Sequence, residues 1–455
     1  MFSKELYQQR RNALKIALGE GIILFPGNEE SGMNYKDNVY PFRQDSCFLY
    51  FTGIDRPDLT FIIDIDNDQE ILFGDEATVE DIVWTGPREE LALQAERSGI
   101  AFTRGKIETA NALKGSRKVH FLPPYRAETS LKLISWGLTD QPSIPLIKAV
   151  VAQRSLKGAE EVAEIEKSVA TSVLMQQKAM EIAAAGLSET FIAGQLQAVA
   201  IAGGGNLAFP TILTANGQFL HNHPTSALLQ AGQLVLCDCG AENNMHYAGD
   251  LTRTFPVDGK FTDMQQEVYS IVLNAHQKAF EALKPGILFK DVHLLACEQL
   301  ATGLKDLGLM KGDPRQAVAE GAHALFFQCG LGHMLGLDVH DMENLGEEYV
   351  GYTEELKKST QFGLKSLRLG RSLEDGFVLT VEPGLYFVSD LIDSWAAQKK
   401  HEAFINYDKV AAFRSFGGIR IEEDFLVTAH GSRRLGPALA KTAEEVHQFK
   451  INSIL

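Results

Sequence analysis

The sequence has few cysteines, no apolar run long enough to cross a membrane, and no excess of positive charge. Five cysteines in 455 residues are too few, and odd in number, for a disulfide framework, which favours reduced thiols in a reducing compartment. No apolar stretch approaches the ~18 residues of a membrane span. Residues 1–21 also lack the apolar core and cleavage site of a signal peptide. We therefore expect a cytoplasmic protein with no membrane partner.

The charge balance excludes another class of partner. The chain has 43 Lys and Arg against 59 Asp and Glu, a formal net charge of −16. Such a surface repels phosphate, so nucleic acid and anionic membranes are not expected ligands. The 45% hydrophobic and 22% charged content is typical of a globular protein. A chain of this length favours two domains, because one hydrophobic core seldom serves so many residues.

Residues 1–155 alternate short β-rich runs with helical patterns, which predicts an α/β domain. Helical periodicity falls at 88–99. The predicted strands are 21–27, 46–54, 59–65, 70–75 and 118–124. Two prolines and a basic turn within 142–157, with no strand pattern until about residue 209, indicate a domain boundary near 155.

Residues 156–455 show helices and strands in blocks, which predicts an α+β domain with a mainly antiparallel sheet. The predicted helices are 158–185, 263–283 and 289–306. The predicted strands are 209–215, 233–240, 251–257, 375–387 and 417–428. The polar stretch 343–372 is most simply an inserted loop.

Three carboxylates interrupt strongly apolar strands: Asp238, Glu382 and Glu422. A lone acid of this kind is more often a surface residue or half of a structural ion pair. Three together, with Asp250 on the next strand and His333 in a glycine-rich stretch, are too many for one arginine to neutralise. Carboxylates with an imidazole and no thiolate suit Mn²⁺, Mg²⁺, Co²⁺ or a hydrolytic pair of Zn²⁺. Four negative charges favour two ions, and a two-metal site predicts hydrolysis.

Sequence motifs for other kinds of site are weaker than this metal-site pattern. The stretch 203–206 lacks the Lys and Ser/Thr of a phosphate-binding loop, and 330–336 lacks the strand and helix context of a dinucleotide site. There is no G-x-S-x-G for a serine nucleophile. Cys237 and Cys239 flank Asp238, so on a strand they point away from it and are expected in the core.

Four segments of the second half resemble the Xaa-Pro metallopeptidases of the pita-bread fold, the Xaa-Pro aminopeptidases and prolidases. They are YAGDLTRTFPVDGKFT (247–262), GLGHMLGLDVHD (330–341), VLTVEPGLYF (378–387) and GGIRIEEDFLVT (417–428). YPFRQDSCFLYFTGI (40–54) is similar to the N-terminal domain of the same group, and 154–168 to the segment that enters its catalytic domain. The resemblance therefore implies an aminopeptidase P/creatinase-like α/β domain over 1–155 and a pita-bread catalytic domain over 156–455.

The resemblance also implies a metal-ligand set, consisting of Asp238, Asp250, His333, Glu382 and Glu422. Asp238 would chelate one of two divalent ions, Asp250 and Glu422 would bridge both, and His333 and Glu382 would complete the second. Mn²⁺ is the expected metal, with Co²⁺ or Zn²⁺ as alternatives. The ions would activate water for attack on the carbonyl before proline, and Glu382 would take and pass on its proton.

Four further residues would act on the substrate side. His221 and His340 would border the substrate and stabilise the tetrahedral intermediate, although His221 beside His223 can also be a solvated loop residue. Arg420 would orient Glu422. The segment 363–376 resembles the eukaryotic-type prolidases, in which the arginine matching Arg368 holds the free carboxylate of a dipeptide.

The function predicted on this basis is hydrolysis of the Xaa-Pro bond, with an Xaa-Pro dipeptidase favoured over an Xaa-Pro aminopeptidase that acts on longer peptides. The expected partners are small peptides with proline in second position, and the expected assembly is a homodimer or higher homo-oligomer. Two rivals remain, a non-catalytic peptide-binding module and creatine-type amidinohydrolysis on the same fold. The intact ligand set argues against both.

Overall fold

The computed structural model describes residues 1–115, 117–139 and 141–454. The α-helices are α1 (Lys4–Leu18), α2 (Ser46–Thr52), α3 (Val79–Thr85), α4 (Leu91–Ser98), α5 (Thr109–Ala112), α6 (Ala127–Ser135), α7 (Ile144–Ser155), α8 (Ala159–Ile182), α9 (Glu189–Ala202), α10 (Asp263–Ala282), α11 (Phe289–Asp306), α12 (Pro314–Glu320), α13 (Glu347–Val350), α14 (Ser389–Ala397), α15 (Tyr407–Val410) and α16 (Ala443–Ile454). Short 3₁₀ turns occur at Lys106–Glu108, Ala322–Leu325, Glu343–Leu345, Leu364–Ser366 and Ala411–Phe413.

The strands are short and fall in both halves of the chain. They are β1 (Ile22–Pro26), β2 (Gly32–Tyr35), β3 (Asn38–Val39), β4 (Thr60–Asp64), β5 (Gln69–Phe73), β6 (Phe102–Arg104), β7 (Val119–His120), β8 (Asn206–Leu207), β9 (Ile212–Ala215), β10 (Leu234–Cys239), β11 (Ala241–Glu242), β12 (Leu251–Pro256), β13 (Val378–Val381), β14 (Gly384–Tyr386), β15 (Gly418–Arg420), β16 (Glu423–Thr428) and β17 (Gly431–Arg434).

The chain forms two compact units. The first consists of Met1–Arg154 with Asn344–Tyr349, and the second of Ser155–Glu343 with Val350–Leu455. The short segment Asn344–Tyr349 therefore belongs with the first unit, although it lies far along the chain. No helix in the described part of the chain is long and apolar enough to cross a bilayer.

The first unit is built on a mixed five-stranded sheet of order β6-β5-β4-β1-β7. The β1–β4 and β4–β5 pairs are antiparallel, whereas β1–β7 and β5–β6 are parallel. Ile22, Leu24, Ile62 and Phe73 pack into its core and are almost fully buried. The predicted α/β character of this half agrees with that architecture.

One predicted strand of the first unit is wrong. Residues 46–52 form α2, not a strand, and all seven of its residues are buried. Asp45 caps the helix by accepting a hydrogen bond from the Phe48 N–H at 2.8 Å, and Gly53 ends it with a positive φ of 68°. A short helix buried on every side has a continuous apolar sequence, which periodicity cannot distinguish from a buried strand.

The second unit has antiparallel strand pairs throughout its described residues, as the sequence predicts. The three-stranded sheets have the orders β12-β10-β9 and β13-β16-β17, and two-stranded pairs join β14 with β15 and β11 with β8. An isolated bridge between Thr252 and Glu422 connects β12 to the turn between β15 and β16. The predicted 375–387 and 417–428 strands are each divided in two, at Glu382 and at Glu422.

Strand β16 begins with a buried ionic cluster on the face opposite Glu422. Glu423 accepts hydrogen bonds from Arg253 Nη2 at 2.7 Å and Lys441 Nζ at 2.7 Å, and Arg434 lies at 3.4 Å. Burial alone would raise the pKa of Glu423, but Arg253, His276 and Lys441 lower it to about 2. Glu423 is therefore ionised in the folded state and holds together β12, β16 and the segment before α16.

We predict that Glu423→Gln destabilises the second unit by about 3–5 kcal/mol at neutral pH, because it leaves Arg253 buried without its counter-charge. Since the folded-state pKa lies below the ordinary value near 4.5, the stabilisation is complete above pH 4.5 and is lost as the pH falls toward 2. Denaturant unfolding of wild type and variant between pH 7 and pH 3 measures this. A stability difference that stays constant over that range contradicts the assignment.

Candidate functional site

A cavity of about 510 Å³ lies in the second unit, and every residue that the sequence singles out as metal ligand, catalytic or substrate-binding lines it. These residues are Asp238, Asp250, His333, Glu382, Glu422, His221, His340, Arg368 and Arg420. Their chemical roles stay predictions, but the fold brings all of them to one place from segments far apart in the chain.

The register of β10 and β12 positions three of the carboxylates. Asp238 lies on β10 opposite Thr252 of β12, and Asp250 directly precedes β12. The backbone N–H of Glu422 donates to the Thr252 carbonyl at 3.1 Å. Thr252 pairs with Asp238 on one side and with Glu422 on the other, so it brings these two carboxylates close together.

Strand β13 and the glycine-rich loop before it position the other two ligands. The Thr380 N–H donates to the His333 carbonyl at 3.0 Å, and the Glu382 N–H donates to the Leu331 carbonyl at 2.8 Å. A Cβ on Gly332 would lie 2.0 Å from the Thr380 carbonyl oxygen. Only glycine allows this approach, so the loop depends on it to run against β13.

Asp250, His333 and Glu422 form a compact buried cluster in which each offers one ligand atom, all within 4.8 Å of one another. His333 Nε2 lies 3.4 Å from Asp250 Oδ2 and 3.7 Å from Glu382 Oε1. Its Nδ1 donates to the Met334 carbonyl at 3.0 Å, so the unprotonated Nε2 faces the carboxylates. A histidine that binds a metal is typically oriented in this way by a carbonyl behind the ring.

The carboxylates that line the cavity are not fully satisfied by hydrogen bonds from the described residues. Asp238 Oδ1 and Asp250 Oδ1 are buried and accept no hydrogen bond from any described residue. Burial, together with the negative charge of Asp250, raises the pKa of Asp238 to about 7, and burial raises the pKa of Asp250 to about 6. Burial and neighbouring carboxylates also raise the pKa values of Glu382 and Glu422. Oxygen donors with one imidazole and unsatisfied negative charge fit hard or borderline divalent cations.

Arg420 donates to one of the carboxylates that line the cavity and reaches a second one through a hydroxyl group. Its Nη2 donates to Asp238 Oδ2 at 2.6 Å, and its Nη1 donates to the Tyr386 hydroxyl at 2.8 Å. Its Nε donates to Thr252 Oγ1 at 3.1 Å, and that hydroxyl donates to Glu422 Oε2 at 2.6 Å. Arg420 therefore contacts Asp238 directly and reaches Glu422, which it is expected to orient, through the hydroxyl of Thr252.

A second group of charged residues borders the cavity on the substrate side. His340 Nδ1 donates to Glu343 Oε2 at 2.5 Å, and Arg368 Nε lies 3.3 Å from both oxygens of the same carboxylate. The hydrogen bond from His340, and the charge of Arg368, lower the pKa of Glu343 to about 2 against the effect of burial. Glu343 thus fixes the ring of His340 and neutralises Arg368. His221 lines the same cavity and is exposed.

Three of the residues that contact the predicted site residues were not predicted from the sequence: Glu343, Thr252 and Tyr386. A signal existed for Glu343, since it follows His340 by three residues, the spacing of one turn. For Thr252 and Tyr386 there was none, because each is an ordinary strand residue whose role depends on the neighbouring strand.

Family models match both halves of the chain. Residues 163–429 match metallopeptidase family M24, and residues 7–117 match the N-terminal domain of aminopeptidase P.

Curated relatives are similar over nearly their full length. A probable Xaa-Pro aminopeptidase of Verticillium alfalfae is 32% identical over 96% of this chain and 93% of its own length. The Xaa-Pro aminopeptidase of Escherichia coli is 29% identical over 99% of this chain and 98% of its own.

A solved structure of E. coli aminopeptidase P in complex with substrate superposes with a TM-score of 0.82 at 28% identity, covering 100% of this chain and 99% of that one. These matches confirm the predicted family and the predicted architecture of an α/β domain followed by a pita-bread domain. The chain therefore belongs to metallopeptidase family M24, with the N-terminal domain of aminopeptidase P ahead of its catalytic domain.

Proposed function

We propose that this protein is a metal-dependent Xaa-Pro aminopeptidase, which hydrolyses the bond between an N-terminal residue and a following proline in peptides. The observation that carries the proposal is the buried cluster of Asp250, His333 and Glu422, walled by Asp238 and Glu382 in one cavity. The chain's membership of family M24 and the names of its relatives support the same activity.

Two divalent ions would be held by Asp238, Asp250, His333, Glu382 and Glu422. When bound, such a pair supplies acidified water and polarises the scissile carbonyl. Mn²⁺ suits the oxygen-rich ligand set, and Co²⁺ or Zn²⁺ suits its imidazole. The choice of Mn²⁺, the cytoplasmic location and the assembly as a homodimer or higher homo-oligomer stay predictions.

The chain's own residues then have separate tasks. Glu382 has a raised pKa and can take a proton from water and pass it to the leaving proline nitrogen. His340 presents its second ring nitrogen to the substrate, since its first is bound to Glu343. His221 borders the same space. Arg420 keeps Asp238 oriented for the metal.

The preference for a dipeptidase, drawn from Arg368, is not supported. The relatives are named Xaa-Pro aminopeptidases, which favours the alternative of longer peptides. The geometry suggests a reason. A guanidinium that clamps a free carboxylate must keep its positive charge available, whereas Arg368 already faces both oxygens of Glu343.

We predict that metal removal abolishes activity and that Mn²⁺ restores it. Chelator-treated protein is supplied with Mn²⁺, and products are measured from Ala-Pro-Ala, Ala-Pro and Ala-Ala-Ala. We expect rapid cleavage of Ala-Pro-Ala, slower cleavage of Ala-Pro and none of Ala-Ala-Ala. Cleavage of Ala-Pro alone would restore the dipeptidase prediction. No proline-dependent cleavage with Mn²⁺, Co²⁺ or Zn²⁺ would contradict the proposed function.

We predict that Glu382→Gln lowers kcat roughly 10²–10⁴-fold, because the amide cannot take the proton. Near-UV circular dichroism and metal analysis establish that the variant is folded and loaded. The matched control is Glu374→Gln, an exposed acid outside the cavity, which should keep full activity. A folded, metal-loaded Glu382→Gln enzyme with wild-type kcat would exclude the proton-transfer role.

We predict that Glu343→Gln shifts specificity toward dipeptides, because it releases the charge of Arg368. The ratio of kcat/KM for Ala-Pro to that for Ala-Pro-Ala should rise about fivefold, near 1 kcal/mol. The ratio cancels any effect of His340 that both substrates share. Arg368→Ala should leave the ratio unchanged and should remove the gain in the double variant. A large fall of the ratio in Arg368→Ala alone would instead show that Arg368 clamps the dipeptide carboxylate.

A further inference from the structure

A second cluster of metal-binding side chains lies in the second unit, outside the cavity of Asp238. It consists of His293, Cys297 and His323, and none of them lines that cavity. His293 and Cys297 are one turn apart on α11 and so share a face of the helix. His323 lies on the 3₁₀ turn Ala322–Leu325, which follows α12.

The distance between the two ligands on α11 matches one edge of a tetrahedral site. His293 Nε2 lies 3.5 Å from Cys297 Sγ, and one ligand atom from each of the three residues lies within 4.8 Å of the others. In a tetrahedral zinc site, with Zn–S near ~2.3 Å and Zn–N near ~2.05 Å, the edge between nitrogen and sulfur is about 3.5 Å. The helix therefore already presents two ligands at the spacing of a bound ion.

Unsatisfied polar atoms point to a ligand independently of that spacing. Neither ring nitrogen of His323 makes a hydrogen bond with any described residue. The side chains are almost completely buried, with relative exposures of 1% for His293 and 3% for His323. A buried polar group without a partner costs about 1–3 kcal/mol, so a bound ion would remove a penalty that the fold otherwise keeps.

The electrostatics also suit a cation. Burial lowers the pKa of His293 to about 3 and of His323 to about 4, so both imidazoles keep their lone pairs at neutral pH. Burial raises the pKa of the Cys297 thiol, so the thiol is protonated without a metal and must release that proton when a cation binds. The carboxylate of Glu298 on the same helix adds negative charge nearby.

We propose that His293, Cys297 and His323 form a separate structural site for a borderline divalent cation of the Zn²⁺ class. The thiolate excludes Mn²⁺ and Mg²⁺ as preferred occupants, in contrast to the oxygen-rich cavity. On binding, the S–H bond of Cys297 breaks, a metal–sulfur bond forms and the proton goes to solvent. The inference does not depend on the proposed function.

The site would fasten α11 to the turn Ala322–Leu325. The next residue, Phe326, accepts a backbone hydrogen bond from Tyr386 at 2.8 Å, and the Tyr386 hydroxyl accepts from Arg420. A cation at this position would therefore stabilise a segment that leads to the cavity without taking part in its chemistry.

Cobalt serves as the probe, because a thiolate bound to Co²⁺ gives a charge-transfer band in the near ultraviolet that oxygen and imidazole ligands do not give. Full-length protein is loaded with Co²⁺, both after chelator treatment and by growth in cobalt medium, since the site is buried. We expect the band in wild type, with one more equivalent of Co²⁺ than in Cys297→Ser. His323→Ala should also lose the band.

Cys329→Ser is the matched control, because Cys329 lines the cavity of Asp238 and is the alternative source of a thiolate. It should keep the band. No band in wild type after either loading route overturns the proposal without reference to any variant. A band that persists in Cys297→Ser, or that disappears in Cys329→Ser, also overturns it. As a second readout, Zn²⁺ should raise the Tm of wild type more than that of Cys297→Ser.

Discussion

Four carboxylates share one buried cavity, and most of the surrounding structure serves to hold them there. Like charges in a low-dielectric interior repel strongly, and burial disfavours each of them separately. Asp238, Asp250, Glu382 and Glu422 accordingly have raised pKa values. Arg420 compensates Asp238 directly, but one cation cannot balance four anions. Divalent ions would resolve the imbalance, and the family to which the chain belongs is one of metallopeptidases.

The neighbours Glu422 and Glu423 show how the backbone sorts such charges. Successive strand residues point to opposite faces, so one faces the cavity and the other faces a cluster of basic side chains. Glu422 has a pKa well above its ordinary value, whereas Arg253 and Lys441 bring that of Glu423 to about 2. Two adjacent acids thus have different roles: Glu422 is suited to binding a metal, and Glu423 stabilises the fold.

The two sides of the cavity also differ in how their charges are neutralised. Glu343 is paired with His340 and Arg368, so charges at that wall are balanced by protein alone. The His293 and Cys297 pair represents a third arrangement, in which neutral ligands are buried together and a borderline divalent cation would bring the charge. The donor atoms of each group thus decide whether protein side chains or a cation suit it.

The family and the order of the two domains could be predicted from the sequence, because several segments resemble the Xaa-Pro metallopeptidases. Acids within apolar strands and a histidine in a glycine-rich loop also indicated a metal site, and the resemblance added the other predicted residues that line the cavity. The sequence also predicted the main antiparallel strands and long helices of the second unit. It did not determine α2, because a fully buried helix and a buried strand have the same apolar pattern. The partners of Arg420, the neutralisation of Arg368 and the meeting of His323 with α11 were decided only by tertiary structure, since each depends on strand register or on contacts between residues remote in sequence.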